Sequence, residues 1–209
     1  MDEARRQDPR YVRSYEALAA AVWELAATRP IPEISVTTLT ERAGVSRPTF
    51  YQHVADVREL ARDVALMRLG AATPTLPAPD AGDRPDVPTA SAELAAAILP
   101  PLQHLARHQR FYLNVLEHAA TPDLFSGVIA LLVERMDPRA FAAVAAESGV
   151  PADRFATVVH GGVMWSIVSW LHGMPSVEAA AAMASEVGTI FFTLLAGERT
   201  PTPRRRPNR

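Results

Sequence analysis

Side chains able to make and break bonds are few and scattered. His104 and His108 stand four residues apart, the spacing that sets two imidazoles on one helix face as zinc ligands. Glu117, His118 and His160 could add ligands or an acid–base pair. No glutamate follows His104 directly, so the metalloprotease pattern fails, and two histidines near a helix end more often face solvent or cap it. The chain has no cysteine, which removes disulfides, thiolate zinc sites and a cysteine nucleophile together. No glycine-rich phosphate loop or nucleophile elbow occurs. The expectation is a protein that is not an enzyme and needs no metal or cofactor. An enzyme holding a metal on His104 and His108 is the lesser alternative.

A denser group lies between positions 35 and 60, hydrogen-bonding side chains with one proline among them: Ser35, Thr37, Thr38, then Ser46, Arg47, Pro48, Thr49, Tyr51, Gln52 and His53. Arg47 and Tyr51 are four apart, as are Pro48 and Gln52, so each pair shares one side of a helix. Arg47 can reach guanine O6 and N7 or a phosphate, and Gln52 can bond base edges. Thr49, Tyr51 and His53 have the reach and donors for phosphates, which fix the register of docking.

Local signals supply the elements that would hold these groups. Ser35 can cap a helix opening at Val36, its hydroxyl accepting a first-turn N–H. Val36, Leu39 and Ala43 form an apolar stripe, and Gly44 suits the left-handed residue that ends a helix. Ser46 can cap a second helix, with Pro48 tolerated in its first turn. The spacing predicts short helices over 36–43 and 47–53, a helix-turn-helix. Val45, Phe50 and Val54 are left to pack inward, and Asp56 with Glu59 resembles a capping box for the next helix.

The run Ala43-Gly-Val-Ser-Arg-x-Thr-Phe-Tyr-x-His53, followed by Asp56 and Glu59-Leu60, resembles the DNA-binding domain of the TetR family of one-component transcriptional regulators. The likeness covers about residues 10–70. It implies an all-α fold, with an N-terminal three-helix helix-turn-helix domain (1–56) joined by a long helix to a C-terminal helical ligand-binding and dimerisation domain (57–199). An Arg/Pro tail (200–209) is expected to be disordered. The resemblance also implies that the ten residues from Ser35 to His53 named above lie at or near double-stranded operator DNA. Pro30 stands where the family often has glycine, and Pro48 where glycine or alanine is usual. Val57 replaces a lysine that often touches phosphate, so that contact is not assigned to it, and Arg58 is an imperfect substitute.

Arginine supplies all 21 positive charges against 23 acids, a formal net charge of −2. Such a chain is not globally basic, so affinity for DNA must come from where charge is placed. Arg5, Arg6, Arg10 and Arg13 could form an arm reaching the backbone. No apolar run approaches the roughly 20 residues of a membrane span. The charged N-terminus is unlike a secretory signal, so the expected location is the cytoplasm.

Helices are expected at about 10–28, 56–70, 91–107, 110–119, 123–136, 138–148, 153–173 and 177–196. Residues 73–89, with five prolines, read as a non-helical linker, and Pro100-Pro101 should kink or split the helix that contains them. By the resemblance, the last two long helices would join two copies into a homodimer, which reads half-sites one helical turn or a multiple apart. A small, mainly apolar or aromatic effector would sit among Phe111, Tyr112, Val115, Leu116, His118, Met164, Trp165 and Ser169, large apolar walls with a few polar groups. Effector and DNA would then weaken one another's binding, making the protein a ligand-released repressor. The competing reading is a dimeric helical small-molecule-binding protein without specific DNA recognition.

Overall fold

The computed structural model describes residues 8–75, 87–136, 141 and 149–196. Nine α-helices occur among them: α1 (Pro9–Ala26), α2 (Val36–Ala43), α3 (Arg47–His53), α4 (Val57–Ala72), α5 (Val87–Arg107), α6 (Gln109–His118), α7 (Pro122–Glu134), α8 (Ala152–His172) and α9 (Ala179–Ala196). A 3₁₀ turn, Ile31–Glu33, links α1 to α2. No strand occurs among the described residues. The helix expected at 138–148 and the Arg/Pro tail lie outside them.

Short polar caps set most of the boundaries. Asp8 accepts the N–H of Arg10 at 2.8 Å and Thr121 accepts that of Leu124 at 3.3 Å, each satisfying a donor of the first turn. Pro9 and Pro122 occupy first-turn positions, where a missing N–H is harmless.

Two expectations about prolines need correction. The linker ends earlier than 89, because α5 already begins at Val87 with Pro88 in its first turn. Pro100 and Pro101 do not split α5, which stays one helix from 87 to 107. The reason is tertiary. α9 lies along α5 in the most extensive helix pairing of the fold, and Pro101 and Leu102 are themselves buried. Packing of this kind can outweigh a lost helical hydrogen bond.

One apolar core runs from the helix-turn-helix into the helical body. Leu18, Val22, Leu39, Phe50, Leu60 and Val64 are fully buried. The same cluster continues through Leu102, Phe111, Val115 and Leu171 to Ala180 and Val187. It passes position 56, the expected domain boundary, without a break.

Two side chains of α6 tie it to both parts of the molecule. Asn114 Nδ2 donates to the carbonyls of Ala26 and Arg29, each at 2.7 Å, while its Oδ1 accepts the N–H of Ile31 at 2.9 Å. One turn and a half earlier, buried Gln109 donates to the carbonyl of Leu171 at 2.8 Å, at the end of α8.

Candidate nucleic-acid interface

Hydrogen bonds build the α2–α3 unit almost residue by residue as its sequence implies. Ser35 Oγ accepts the N–H of Thr38 at 3.0 Å, and Ser46 Oγ that of Thr49 at 3.2 Å. Gly44 has φ +67° and ψ +29°, left-handed values that a side chain would strain. The Val45 N–H then reaches back to the Thr40 carbonyl at 3.1 Å, closing α2 in a Schellman-type turn. Asp56 accepts the Glu59 N–H at 2.8 Å, and the Glu59 carboxylate accepts that of Ala55 at 2.6 Å, so α4 starts firmly. Arg42 pairs with Glu24, pinning α2 to α1.

This scaffold divides α3 into two faces. Phe50 is wholly buried, and Val54, just past the helix, is 5% exposed. Arg47, Pro48, Tyr51 and Gln52 are exposed, with Tyr51 at 55% and its ring meeting that of Phe50 at nearly a right angle. Ser35, Thr37 and Ser46 are exposed as well, and Thr38 and Thr49 are half-buried beside their capping serines. Of the ten expected DNA-facing residues, seven are thus exposed and Thr38 and Thr49 are half-buried.

His53 is the exception. Its ring leans back on α1, with Nε2 2.8 Å from Ser14 Oγ and its centroid 4.0 Å from that of Tyr11. A ring held this way braces α3 against α1. Val57 is 7% exposed and belongs to the core, while Arg58 is exposed. Arg10 and Arg13 lie exposed on α1, and Arg5 and Arg6 fall outside the described residues.

The expected effector residues do not converge. Phe111, Tyr112 and Val115 are 1%, 6% and 1% exposed, part of the solid core beneath Trp23. Leu116 packs on that core, and His118 is half-buried with Nε2 3.7 Å from Glu117 Oε2. On α8, Met164 is half-buried, while Ser169 is exposed and Trp165 is 63% exposed on the outer side. The phase of α8 is the cause: the helix is apolar nearly all round, so spacing alone does not tell which side turns inward.

Besides the buried Ala156, Val159 and Leu171, the inward side chains of α8 include His160 and Val163. These two line a cavity of about 50 Å³, together with Leu94 and Ile98 of α5, Arg135 and Met136 after α7, and Phe191 of α9. His160 had been visible as an isolated histidine, but nothing in the spacing joined it to Arg135. A more open cleft of about 340 Å³ lies where α5 meets α6, bordered by Trp23, Arg107, His108 and Phe111. Of the expected effector residues, only Phe111 borders either space.

His104 and His108 are packed in an aromatic group, not arranged as ligands. His104 Nε2 meets the Tyr112 hydroxyl at 2.8 Å and its ring stacks on Trp23. The Arg68 guanidinium lies over the Trp23 ring, 4.3 Å from its centroid. Burial, then the positive charges of His108, Arg68 and Arg107, hold the His104 pKa down to about 4. Among the described residues, no group of three or more His, Asp or Glu side chains is placed to hold a metal.

No protein-family model matches the chain, and no curated protein is significantly similar to it. Solved structures do match. The chain is similar to a TetR transcriptional regulator from Rhodococcus sp. RHA1, with TM-score 0.58 and 12% identity over 87% of this chain and 96% of that one. It is also similar to the fatty acid degradation regulator FadR from Bacillus halodurans, with TM-score 0.49 and 14% identity over 89% and 96%. A third likeness is to RolR, with TM-score 0.41 and 19% identity over 87% and 96%. At such identities the likeness is one of architecture: with its capped helix-turn-helix and helical body, the chain has the TetR-like fold.

Proposed function

We propose that the protein is a ligand-responsive transcriptional regulator that binds a palindromic operator as a homodimer and acts as a repressor. The observation that carries this reading is the two-sided α3. Its inner side is locked by Phe50, and among the described residues its Arg47, Pro48, Tyr51 and Gln52 are left exposed on the outer side. Arg47 and Gln52 would read base edges, while Ser35, Thr37, Thr38, Ser46, Thr49 and Tyr51 would hold phosphates. The partner is double-stranded DNA, with no membrane involved; no helix among the described residues is long and apolar enough to cross one.

Dimerisation would use α8 and α9. Val158 and Trp165 on α8 and Ile190 on α9 are 70%, 63% and 53% exposed, an unusual outlay of large apolar side chains to leave in water. Small residues, Gly162, Ser166 and Ala182, lie exposed beside them and would let a second pair of helices approach. A small, mainly apolar effector would occupy the helical body and favour a different separation of the two α3 helices. The cytoplasm is the corresponding location.

Paired variants test the assignment of roles. Tyr51→Ala should weaken binding to all duplexes alike, whereas Arg47→Ala should also relax base preference, by about 1–3 kcal/mol at one position. Equal losses at cognate and scrambled sites for both variants would leave a dimeric small-molecule-binding protein as the better reading.

A further inference from the structure

The open cleft of about 340 Å³ lies where α1 of the helix-turn-helix meets the α5–α6 corner of the helical body. Small-molecule sites begin at ~300 Å³ and combine apolar walls with a few polar groups. Trp23 and Ala27 of α1 and Met174, just past α8, supply the apolar side. Arg107, the last residue of α5, and Arg110, in the first turn of α6, supply the charge, and both are exposed. No Asp or Glu lines the cleft.

The positive charge gathered here is not neutralised within the chain. Among the described residues, neither Arg107 nor Arg110 makes an ion pair, nor does Arg68, whose guanidinium lies over the Trp23 ring. Arg107 has a long contact, 3.5 Å, to the neutral amide oxygen of Gln103. Burial, then the charges of Arg68 and Arg107, hold the His108 pKa below the ordinary histidine value, so that imidazole stays neutral while the guanidiniums keep their charge. A concave, partly apolar surface that is positive and has no acid of its own favours an anion.

Met174 is a second, independent mark of the site. Its φ of +55° is a left-handed value that strains any residue but glycine, and its side chain is 64% exposed at the cleft. Strain and exposed apolar surface thus coincide at one wall, and a thioether is a soft partner for flat rings. The guanidinium fork matches a carboxylate in shape as well as charge. We propose that the cleft binds an aromatic carboxylate, its charged end at the Arg107–Arg110 rim and its ring against Trp23 and Met174. The site needs no DNA and goes beyond the operator reading.

The Met174 methyl group reports occupancy directly. Methyl-labelled full-length protein, free of DNA, is titrated with 2-naphthoate, 2-naphthamide and inorganic phosphate, the Met174 signal being assigned with Met174→Leu. The signal should shift saturably with 2-naphthoate, at a Kd about tenfold below those of the amide, which lacks the charge, and of phosphate, which lacks the ring. The double variant Arg107→Gln/Arg110→Gln changes only exposed positions and should bring naphthoate and amide within about twofold in calorimetry. Met174→Gly accepts the left-handed backbone without strain and should weaken both aromatic probes about threefold. The proposal is overturned by no saturable Met174 shift, by amide or phosphate binding as tightly as naphthoate, or by a double variant that keeps the preference. Unchanged affinities in Met174→Gly overturn it too. With DNA absent, failure here leaves the operator reading standing, and naphthoate binding without operator binding would keep this site alone.

Discussion

Single residues divide here into those that brace and those that are left free. His53 and Tyr51 sit two positions apart on α3, yet one ring is packed at a tilt against Tyr11 and the other is largely exposed. Removing the Tyr51 ring should therefore cost DNA affinity and almost no stability. Phe50→Ala should do the reverse, lowering stability by about 3–5 kcal/mol in a urea titration, because a wholly buried ring leaves a cavity. The histidines of the helical body give a pH dependence of definite sign. His104, pulled down to about 4, is neutral in the fold where the unfolded chain, near 6.5, still takes up a proton. Its contribution is present above about pH 6.5 and is lost as pH falls toward about 4. His108 and His160, both lowered chiefly by burial, act in the same direction. The urea midpoint should fall over that window, and His104→Gln should reduce the slope; a midpoint that rises on acidification would contradict this account.

At the level of elements, close approach decides more than propensity. A Cβ on Gly188 would lie 2.5 Å from the carbonyl oxygen of Ser91, so α9 reaches α5 only because position 188 has no side chain. Gly188→Ala should force the helices apart and lower stability by about 1–3 kcal/mol, despite alanine's better helix propensity. An unchanged or raised melting temperature would show that the contact is slack. Asn114 is the corresponding point for α6. Asn114→Ala strands one N–H and two carbonyls of the α1–α2 connection, and should cost about 2–3 kcal/mol. Such contacts were not legible beforehand. Ser35, Gly44, Ser46 and Asp56 advertised the helix-turn-helix because caps act within a few residues. Pro100-Pro101 misled because the packing that holds α5 together comes from α9, far along the chain. The placing of Trp165, 63% exposed, was not legible because a helix apolar on every side carries no phase.

For the whole molecule, electrostatics sets a demanding condition. With a net charge of −2, the chain has no general attraction for nucleic acid, so in the proposed dimer binding would have to come from the α3 surfaces of two copies. If the dimer neutralises about six phosphates, affinity should drop by roughly a thousandfold between about 50 and about 200 mM salt. Protein truncated after Ala196 should keep that behaviour, which separates docking from any pull of Arg204–Arg206. Trp165→Asp should shift the protein from dimer to monomer in sedimentation and weaken operator binding with it, since a single α3 grips only one half-site. The most direct measurement is selection of genomic fragments by the purified, tail-truncated protein. An enriched inverted repeat with half-site centres about one helical turn apart, lost with Arg47→Ala, is the predicted result. Recovery of fragments with no shared sequence, or an Arg47→Ala variant that enriches the same repeat, would contradict it.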